Sequence, residues 1–211
     1  GIGAGRDRVQ AAAEGLRRVA QGGTTAGSGL NASPEFTARF CAGLSELTGT
    51  RFEPHPVKVE GMAAHDALAA LSGTLKNIAY TLTRIANDIR HLASGPRAGL
   101  GELILPDDGL SSSIMPGKRN PTMAEAIVQI GHRVAGNDAA VAAANATGLF
   151  ELNVSKPVMI AAILESVDIL AAGVSPFTAF VGAIEPNRDR MADNVERSLM
   201  LATALTPELG Y

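Results

Sequence analysis

Residues 58–93 read KVEGMAAHDALAALSGTLKNIAYTLTRIANDIRHLA, and their apolar pattern decides the fold class. Large apolar residues recur in steps of three and four, at Leu68, Leu71, Leu75, Ile78, Leu82, Ile85, Ile89 and Leu92. An unbroken heptad pattern of this length is typical of a long helix packed against other helices. A helix of about 35 residues spans roughly 50 Å. The stretch therefore predicts an elongated bundle of long helices.

Five further segments are predicted to be helical, at residues 6–21, 34–48, 122–146, 157–183 and 187–202. Two of them carry heptad seams of their own, formed by Ile127, Ile130, Val134, Asn137 and Val141 in one and by Met159, Ile163, Val167, Leu170, Val174, Phe177, Val181 and Ile184 in the other. No strand-like alternation appears, so the predicted class is all-α. Three long seams in one chain bury each other only in part, and the remaining apolar faces predict a homo-oligomer.

Composition excludes several classes of protein. Hydrophobic residues make up 46% of the chain and charged residues 18%, which supports a sizeable core rather than disorder. A net charge of −3 without a basic face argues against a nucleic-acid partner. No stretch reaches the roughly 18 apolar residues of a membrane span, so no membrane partner is expected. Cys41 is the only cysteine, which fits a reducing cytoplasm. Arg6, Asp7 and Arg8 interrupt the apolar run that a signal peptide needs, so none is expected.

The irregular segment at residues 94–122 contains the candidate chemistry. Its part from 109 to 121 holds three consecutive hydroxyl residues, Lys118 and Asn120, and a predicted helix follows directly. Successive backbone N–H groups and a helix N-terminus both favour anions. On the residues alone, a site for a small carboxylate and a solvated linker are equally good interpretations.

Ser112 to Pro121, Ser-Ser-Ile-Met-Pro-Gly-Lys-Arg-Asn-Pro, resembles the signature of the fumarase/aspartase superfamily, Gly-Ser-Ser-x-Met-Pro-x-Lys-x-Asn-Pro. The likeness extends over nearly the whole chain, through residues 22–31, 86–90, 94–97, 150–154, 156–159, 184–188 and 198–200. Gly117 favours class II fumarase, because aspartases tend to have Pro-Ala-Lys at this place. Two departures are Ser111 in place of the leading glycine and Leu149 in place of an asparagine.

The resemblance implies that residues 1–211 form the central helical-bundle domain of a fumarase-like lyase, with residues 94–122 as its catalytic serine loop. The family's N-terminal and C-terminal domains have no counterpart in this sequence, which looks like an excised piece. The implied assembly is a homotetramer whose active sites are shared between subunits. The piece alone is expected to associate but to lack activity.

The implied reaction is the reversible hydration of fumarate to L-malate, without metal or organic cofactor. A base removes a weakly acidic proton next to a carboxylate, and oriented donors hold the resulting aci-carboxylate dianion. The resemblance assigns the base to Ser112 and the carboxylate contacts to Ser113, Lys118 and Asn120. Glu125 matches the carboxylate that hydrogen-bonds the family's general-acid histidine. None of the four histidines, His55, His65, His91 and His132, matches that histidine.

Two alternatives to fumarate hydratase stay open. Aspartate ammonia-lyase activity, or a related reaction that releases fumarate, would use the same site. A non-catalytic helical scaffold would use only the bundle. Outside the signature, Asn137 lies on a helix seam, where a buried asparagine sets helix register. Turn and capping chemistry explains Thr24, Thr25 and Asn31 nearly as well as a site does.

Overall fold

The computed structural model describes residues 1–107, 114–115 and 118–210. Its helices are α1 (Ile2–Glu14), α2 (Phe36–Thr48), α3 (Lys58–Ala63), α4 (Asp66–Leu92), α5 (Thr122–Asn145), α6 (Lys156–Gly182), α7 (Arg188–Glu196) and α8 (Thr206–Leu209). Four two-residue strands accompany them, β1 (Arg18–Val19), β2 (Glu53–Pro54), β3 (Leu103–Ile104) and β4 (Glu185–Pro186). The predicted all-α helical bundle is confirmed, although the sequence pattern predicted none of the short strands.

The chain divides into two compact units. The first consists of Gly1–Thr81 with Ile130–Leu170, and the second of Leu82–Gln129 with Ala171–Tyr211. Helices α4, α5 and α6 each contribute residues to both units. The three helices with predicted seams are therefore the ones that supply most of the core.

The core of the first unit is built from the heptad positions of the long helices. Its buried apolar side chains include Leu71, Leu75 and Ala79 of α4, Val134 and Val141 of α5, and Met159 and Ile163 of α6. Polar contacts also join these helices: Lys76 forms an ion pair with Asp138, and Asn137 donates a hydrogen bond to Ser166. Strands β1 and β2 pair in parallel at the edge formed by residues 18–19 and 53–54.

The predicted single helix over residues 58–93 is wrong, because α3 and α4 are separate helices. Ala64 has extended backbone angles, φ −109° and ψ 140°. Next to it, the side chain of Asn145 accepts a hydrogen bond from the His65 amide and donates one to Asp66. This contact comes from residues some 80 positions away in sequence, so the local pattern could not predict the break. The heptad seam itself is confirmed within α4.

The second unit combines the far ends of the long helices with a small antiparallel pair of strands. Its buried side chains include Leu82, Ala86 and Ile89 of α4, Ala124 and Ile127 of α5, and Phe177 and Phe180 of α6. Strand β3 pairs with β4. Asn187 caps α7 by accepting a hydrogen bond from the Arg190 amide.

The two terminal helices differ from their predicted bounds. The helix predicted at 6–21 is α1, which ends at Glu14 and is followed by a 3-10 turn and by β1. The helix predicted at 187–202 is α7, which ends at Glu196 and is followed by a 3-10 helix at 200–205 and by α8. Helix α1 has few buried positions, so little packing fixes its ends.

Helix α6 carries more apolar surface than one core contact requires. Its exposed large apolar residues are Val158, Ile160, Leu164 and Val167 in the first unit, and Val174 and Val181 in the second. The predicted seam contained three of these exposed residues, Val167, Val174 and Val181, together with buried ones such as Met159 and Phe177. By length and composition alone, α6 is apolar enough to cross a membrane. Its most apolar 18-residue stretch has a mean hydropathy of 1.9, and 28% of that stretch is buried. The expectation that no segment would reach this apolar length was therefore wrong for α6.

Candidate active site

Of the five candidate site residues, two lie outside the residues that the structure describes and three lie within them. Ser112 and Ser113 lie outside the described residues, as do Ser111 and Gly117 of the same signature. The assignment of the base to Ser112 therefore stays a prediction. Lys118, Asn120 and Glu125 lie within the described part of the chain and define its geometry.

The start of α5 lies directly after the candidate carboxylate-binding residues. The Thr122 amide donates to the carbonyl of Asn120 and the Glu125 amide to the carbonyl of Pro121, both at 2.9 Å. The chain therefore turns from Asn120 straight into the first turn of the helix. The first amides of a helix have no partner within it, so this end has a positive potential. Lys118 is exposed and adds a full positive charge. The local electrostatics thus favour an anion.

The carboxylate of Glu125 lies in the first turn of α5 and faces a guanidinium from α4. Arg90 Nη2 lies 4.0 Å from Glu125 Oε1, and the two side chains are 40% and 38% exposed. Arg90 Nη1 also donates a hydrogen bond of 2.9 Å to Asn87 Oδ1, one helical turn earlier. Among the described residues, no side chain donates a hydrogen bond to the Glu125 carboxylate, whereas Gln129 Nε2 donates one of 3.4 Å to the Glu125 backbone carbonyl. Arg90 was not among the candidate residues predicted from the sequence, although its spacing from Asn87 within the resembling stretch 86–90 was a usable signal.

The first part of the candidate serine loop is held by residues of α7 and by its N-cap residue. Arg190 donates through Nε and Nη2 to the carbonyls of residues 100 and 99, at 3.0 and 3.2 Å. Asn187 and Asn194 donate to the carbonyls of residues 101 and 100, at 3.0 and 3.1 Å. These donors satisfy backbone acceptors that have no regular secondary structure. Residues 99–101 of the loop therefore have a defined path, which the sequence motifs did not predict.

Arg119 and Asp107 form an ion pair across the two sides of the serine segment. Arg119 Nη2 lies 3.0 Å from Asp107 Oδ2, and both side chains are exposed. An exposed pair of this kind contributes about 0–1 kcal/mol. It joins two positions that are 12 residues apart but adds little stability.

Two other groups of residues singled out in the sequence lie in the first unit. Asn137 is buried and hydrogen-bonded to α6, which agrees with a role in helix packing. Thr24 and Asn31 have positive φ angles of 57° and 64° and line a cavity of about 510 Å³ with residues 20–22, 30, 32–33, 36 and 62. Thr25 is exposed.

The four histidines differ in their exposure and hydrogen bonding. His91 and His132 are exposed, and His55 Nδ1 accepts a hydrogen bond from the Val57 amide. His65 Nε2 is buried and has no hydrogen-bond partner among the described residues. Burial, followed by the charge of Lys156, lowers the pKa of His65, while Asp66 acts in the opposite direction. In the described residues, no group of histidine, cysteine and acidic side chains is placed to hold a metal ion.

Comparison with known proteins connects this geometry to a family. A profile with the description Lyase matches residues 3–136, which is more than half of the chain. This chain belongs to the lyase family. Within the lyase family, curated relatives include the class II fumarate hydratases of Bordetella parapertussis, 49% identical over 205 residues, and of Methylorubrum extorquens, 52% identical over 208 residues. The resemblance predicted from the signature is therefore confirmed.

The solved structures agree with the sequence matches. The class II fumarase from Schistosoma mansoni covers the whole chain with a TM-score of 0.96 and 35% identity. The fumarate lyase:delta crystallin from Brucella melitensis covers 98% of the chain with a TM-score of 0.90 and 38% identity. The two curated matches include 97–98% of this chain. The chain spans only 44% of the length of each relative. It likewise spans 47% and 45% of the two structures.

Proposed function

We propose that the complete natural protein containing this chain is a fumarate hydratase that interconverts fumarate and L-malate. The single observation that carries the proposal is the 49–52% identity, over 97–98% of the chain, to proteins named class II fumarate hydratase. The retention of Lys118, Asn120 and Glu125 around the start of α5 supports it. Residues 1–211 would be the central helical domain of this enzyme, with residues 94–122 as its serine loop.

In the proposed mechanism, Ser112 removes the proton from the carbon next to a carboxylate. The negative charge that develops on that carboxylate needs donors already in place, since reorganising them during the reaction would cost free energy. Ser113, Lys118 and Asn120 would bind the carboxylate, aided by the positive end of α5. Glu125 would orient and charge-balance a histidine that protonates the leaving hydroxyl, supplied from outside residues 1–211. The proposed reaction uses no metal or organic cofactor.

We infer that the active enzyme is a homotetramer with sites shared between subunits. The exposed apolar residues of α6 support association, because a surface of this kind is rarely left in water. The structural match to a class II fumarase over the whole chain also favours a protein partner over a membrane for this helix. The proposed partners are a small dicarboxylate substrate and further copies of the chain. Nucleic acid is not among them. The proposed location is the cytoplasm, although a relative from Rhizopus oryzae is named mitochondrial.

An absorbance assay on the complete natural protein tests the function. Fumarate formation is followed at equal concentrations of L-malate and L-aspartate, with wild type and Ser112→Ala. We expect turnover of malate to exceed turnover of aspartate, and Ser112→Ala to abolish it. Faster turnover of aspartate would assign the protein to ammonia-lyases. Undiminished turnover by Ser112→Ala would remove the serine from the mechanism, and no turnover by wild type would leave the scaffold interpretation.

The isolated 211-residue chain provides a second test. It carries the helical bundle and the candidate base but no histidine that matches the general acid. We expect it to self-associate and to show no hydratase activity. Turnover by the purified chain would place the general acid within residues 1–211, and His65 would then be the first residue to replace.

A further inference from the structure

Arg90 lies on the Oε1 side of the Glu125 carboxylate, and the contact joins the last turns of α4 to the first turn of α5. We propose that Arg90 is a positioning residue for Glu125 in the hydration reaction, an inference that rests on the proposed function. Arg90 lies outside the signature segment at residues 112–121. Its relevance comes from the tertiary contact alone, since 35 positions separate the two residues in sequence.

The geometry leaves one oxygen of Glu125 for a further partner. The guanidinium approaches Oε1, and no described side chain donates a hydrogen bond to Oε2. A carboxylate oxygen accepts hydrogen bonds in directions set by the plane of the group. A cation on one side therefore restricts how the carboxylate rotates and leaves Oε2 to accept a hydrogen bond from the proposed histidine. Without Arg90, this half-exposed side chain would sample several rotamers.

The side chain of Arg90 is itself held in place, unlike a surface cation without a fixed partner. Its Nη1 donates to Asn87 Oδ1 at 2.9 Å, while its Nη2 faces Glu125. The planar guanidinium makes both contacts at once, and a lysine could make only one of them with the same reach. Asn87, Arg90 and Glu125 thus form a chain of contacts in which two residues orient the third.

The test measures kcat and KM for fumarate in the complete natural protein, with variants at Arg90. For Arg90→Met we expect kcat to fall about tenfold, a fraction of what a general acid contributes in total, with KM changed less than about twofold. Arg90→Lys keeps the charge but loses one of the two contacts, so its kcat should lie between those of Arg90→Met and the wild type. Arg84→Met on the same helix is the matched control, because Arg84 is exposed and has no ion pair among the described residues.

A double-mutant cycle separates positioning from general stability. If Arg90 acts through Glu125, adding Arg90→Met to Glu125→Gln should change kcat by less than about twofold. Losses that multiply in the double variant would overturn the proposal, as would an Arg90→Met kcat equal to that of Arg84→Met. If Arg90→Met does not fold, Asn87→Ala replaces it. That variant releases the guanidinium and should lower kcat without raising KM, and an unchanged kcat would equally overturn the proposal.

Failure of the inference can be told from failure of the proposed function. A wild-type protein that hydrates fumarate, with an Arg90→Met variant that is equally fast, removes only the role of Arg90. A wild-type protein that releases ammonia from aspartate changes the substrate, and the same cycle is then measured with aspartate. A wild-type protein inactive on both substrates removes the proposed function and the role of Arg90 with it.

Discussion

The buried amide of Asn137 on α5 donates a 3.0 Å hydrogen bond to Glu165 Oε2 on α6. The same Nδ2 lies 3.0 Å from Ser166 Oγ, so one side chain bridges two successive residues of the neighbouring helix. Arg133 completes the group through two hydrogen bonds to Glu165, and these, followed by the bond from Asn137, lower the pKa of Glu165. The contact specifies the axial alignment of α5 and α6, because a shift of either helix would leave Asn137 buried without partners.

Replacing Asn137 by alanine should destabilise the first unit. Asn137 is 5% exposed, so its loss leaves the buried hydroxyl of Ser166 and the partly exposed carboxylate of Glu165 with fewer partners, and we expect the free energy of unfolding to fall by about 1–3 kcal/mol. Urea unfolding followed by circular dichroism measures the change. Asn77→Ala, at an exposed position of α4, is the control and should stay within about 0.5 kcal/mol of wild type. Equal stability of the two variants would contradict a packing role for Asn137.

Truncating Met159 should create a cavity in the core of the first unit. Its side chain is 0% exposed, and Met→Ala substitutions at such positions cost about 2–5 kcal/mol of unfolding free energy. Leu47 on α2 is 87% exposed, so Leu47→Ala should change the unfolding free energy by less than about 0.5 kcal/mol. Urea unfolding measures both variants. A cost below 1 kcal/mol for Met159→Ala would mean that the neighbouring side chains collapse into the space.

His65 should make stability fall in mild acid. Burial and Lys156 lower the pKa of His65 below its ordinary value of 6.5, so the unfolded chain binds the proton more tightly than the folded one. The contribution is fully present above about pH 6.5 and is lost as the pH falls through that value toward the lower folded pKa. Thermal unfolding midpoints at about pH 7.5 and about pH 5.5 should differ less for His65→Gln than for wild type.

The matched control for this pH dependence is His132→Gln, because His132 is exposed on α5. It should keep the wild-type difference between the two midpoints. If His65→Gln keeps that difference as well, other groups carry the acid sensitivity of this protein.

A charge on the exposed apolar face of α6 should weaken self-association. Leu164 is 54% exposed, and burying a glutamate there against another subunit would cost several kcal/mol. We expect Leu164→Glu to lower the mass measured by sedimentation equilibrium, with the helical content unchanged. Leu47→Glu introduces the same charge on an exposed position of α2 and should keep the wild-type mass. An unchanged mass for Leu164→Glu would place the oligomer contact on another surface.

The heptad seam of α4 could be predicted from the sequence, because apolar spacing alone sets which face of a helix is buried. The break at Ala64 and His65 could not, since there the His65 amide donates a hydrogen bond to the side chain of Asn145, which is far away in sequence. The same limit appears in α6, where the spacing did not separate the buried Met159 from the exposed Val167. The spacing of apolar residues predicts that a helix has an apolar face. Where a helix is apolar on several sides, only the packing determines which side contacts the rest of the chain.

The sequence by itself determined the helical class and, through the long signature at residues 112–121, the family and the candidate residues Lys118 and Asn120, with Glu125 just beyond it. Those properties depend on neighbours along the chain, so a linear pattern contains them. Only the tertiary structure decided that Arg90 faces Glu125 and that α7 holds residues 99–100 of the serine loop. Both contacts join residues far apart in sequence, and they form because the packed helices bring charged and hydrogen-bonding groups together.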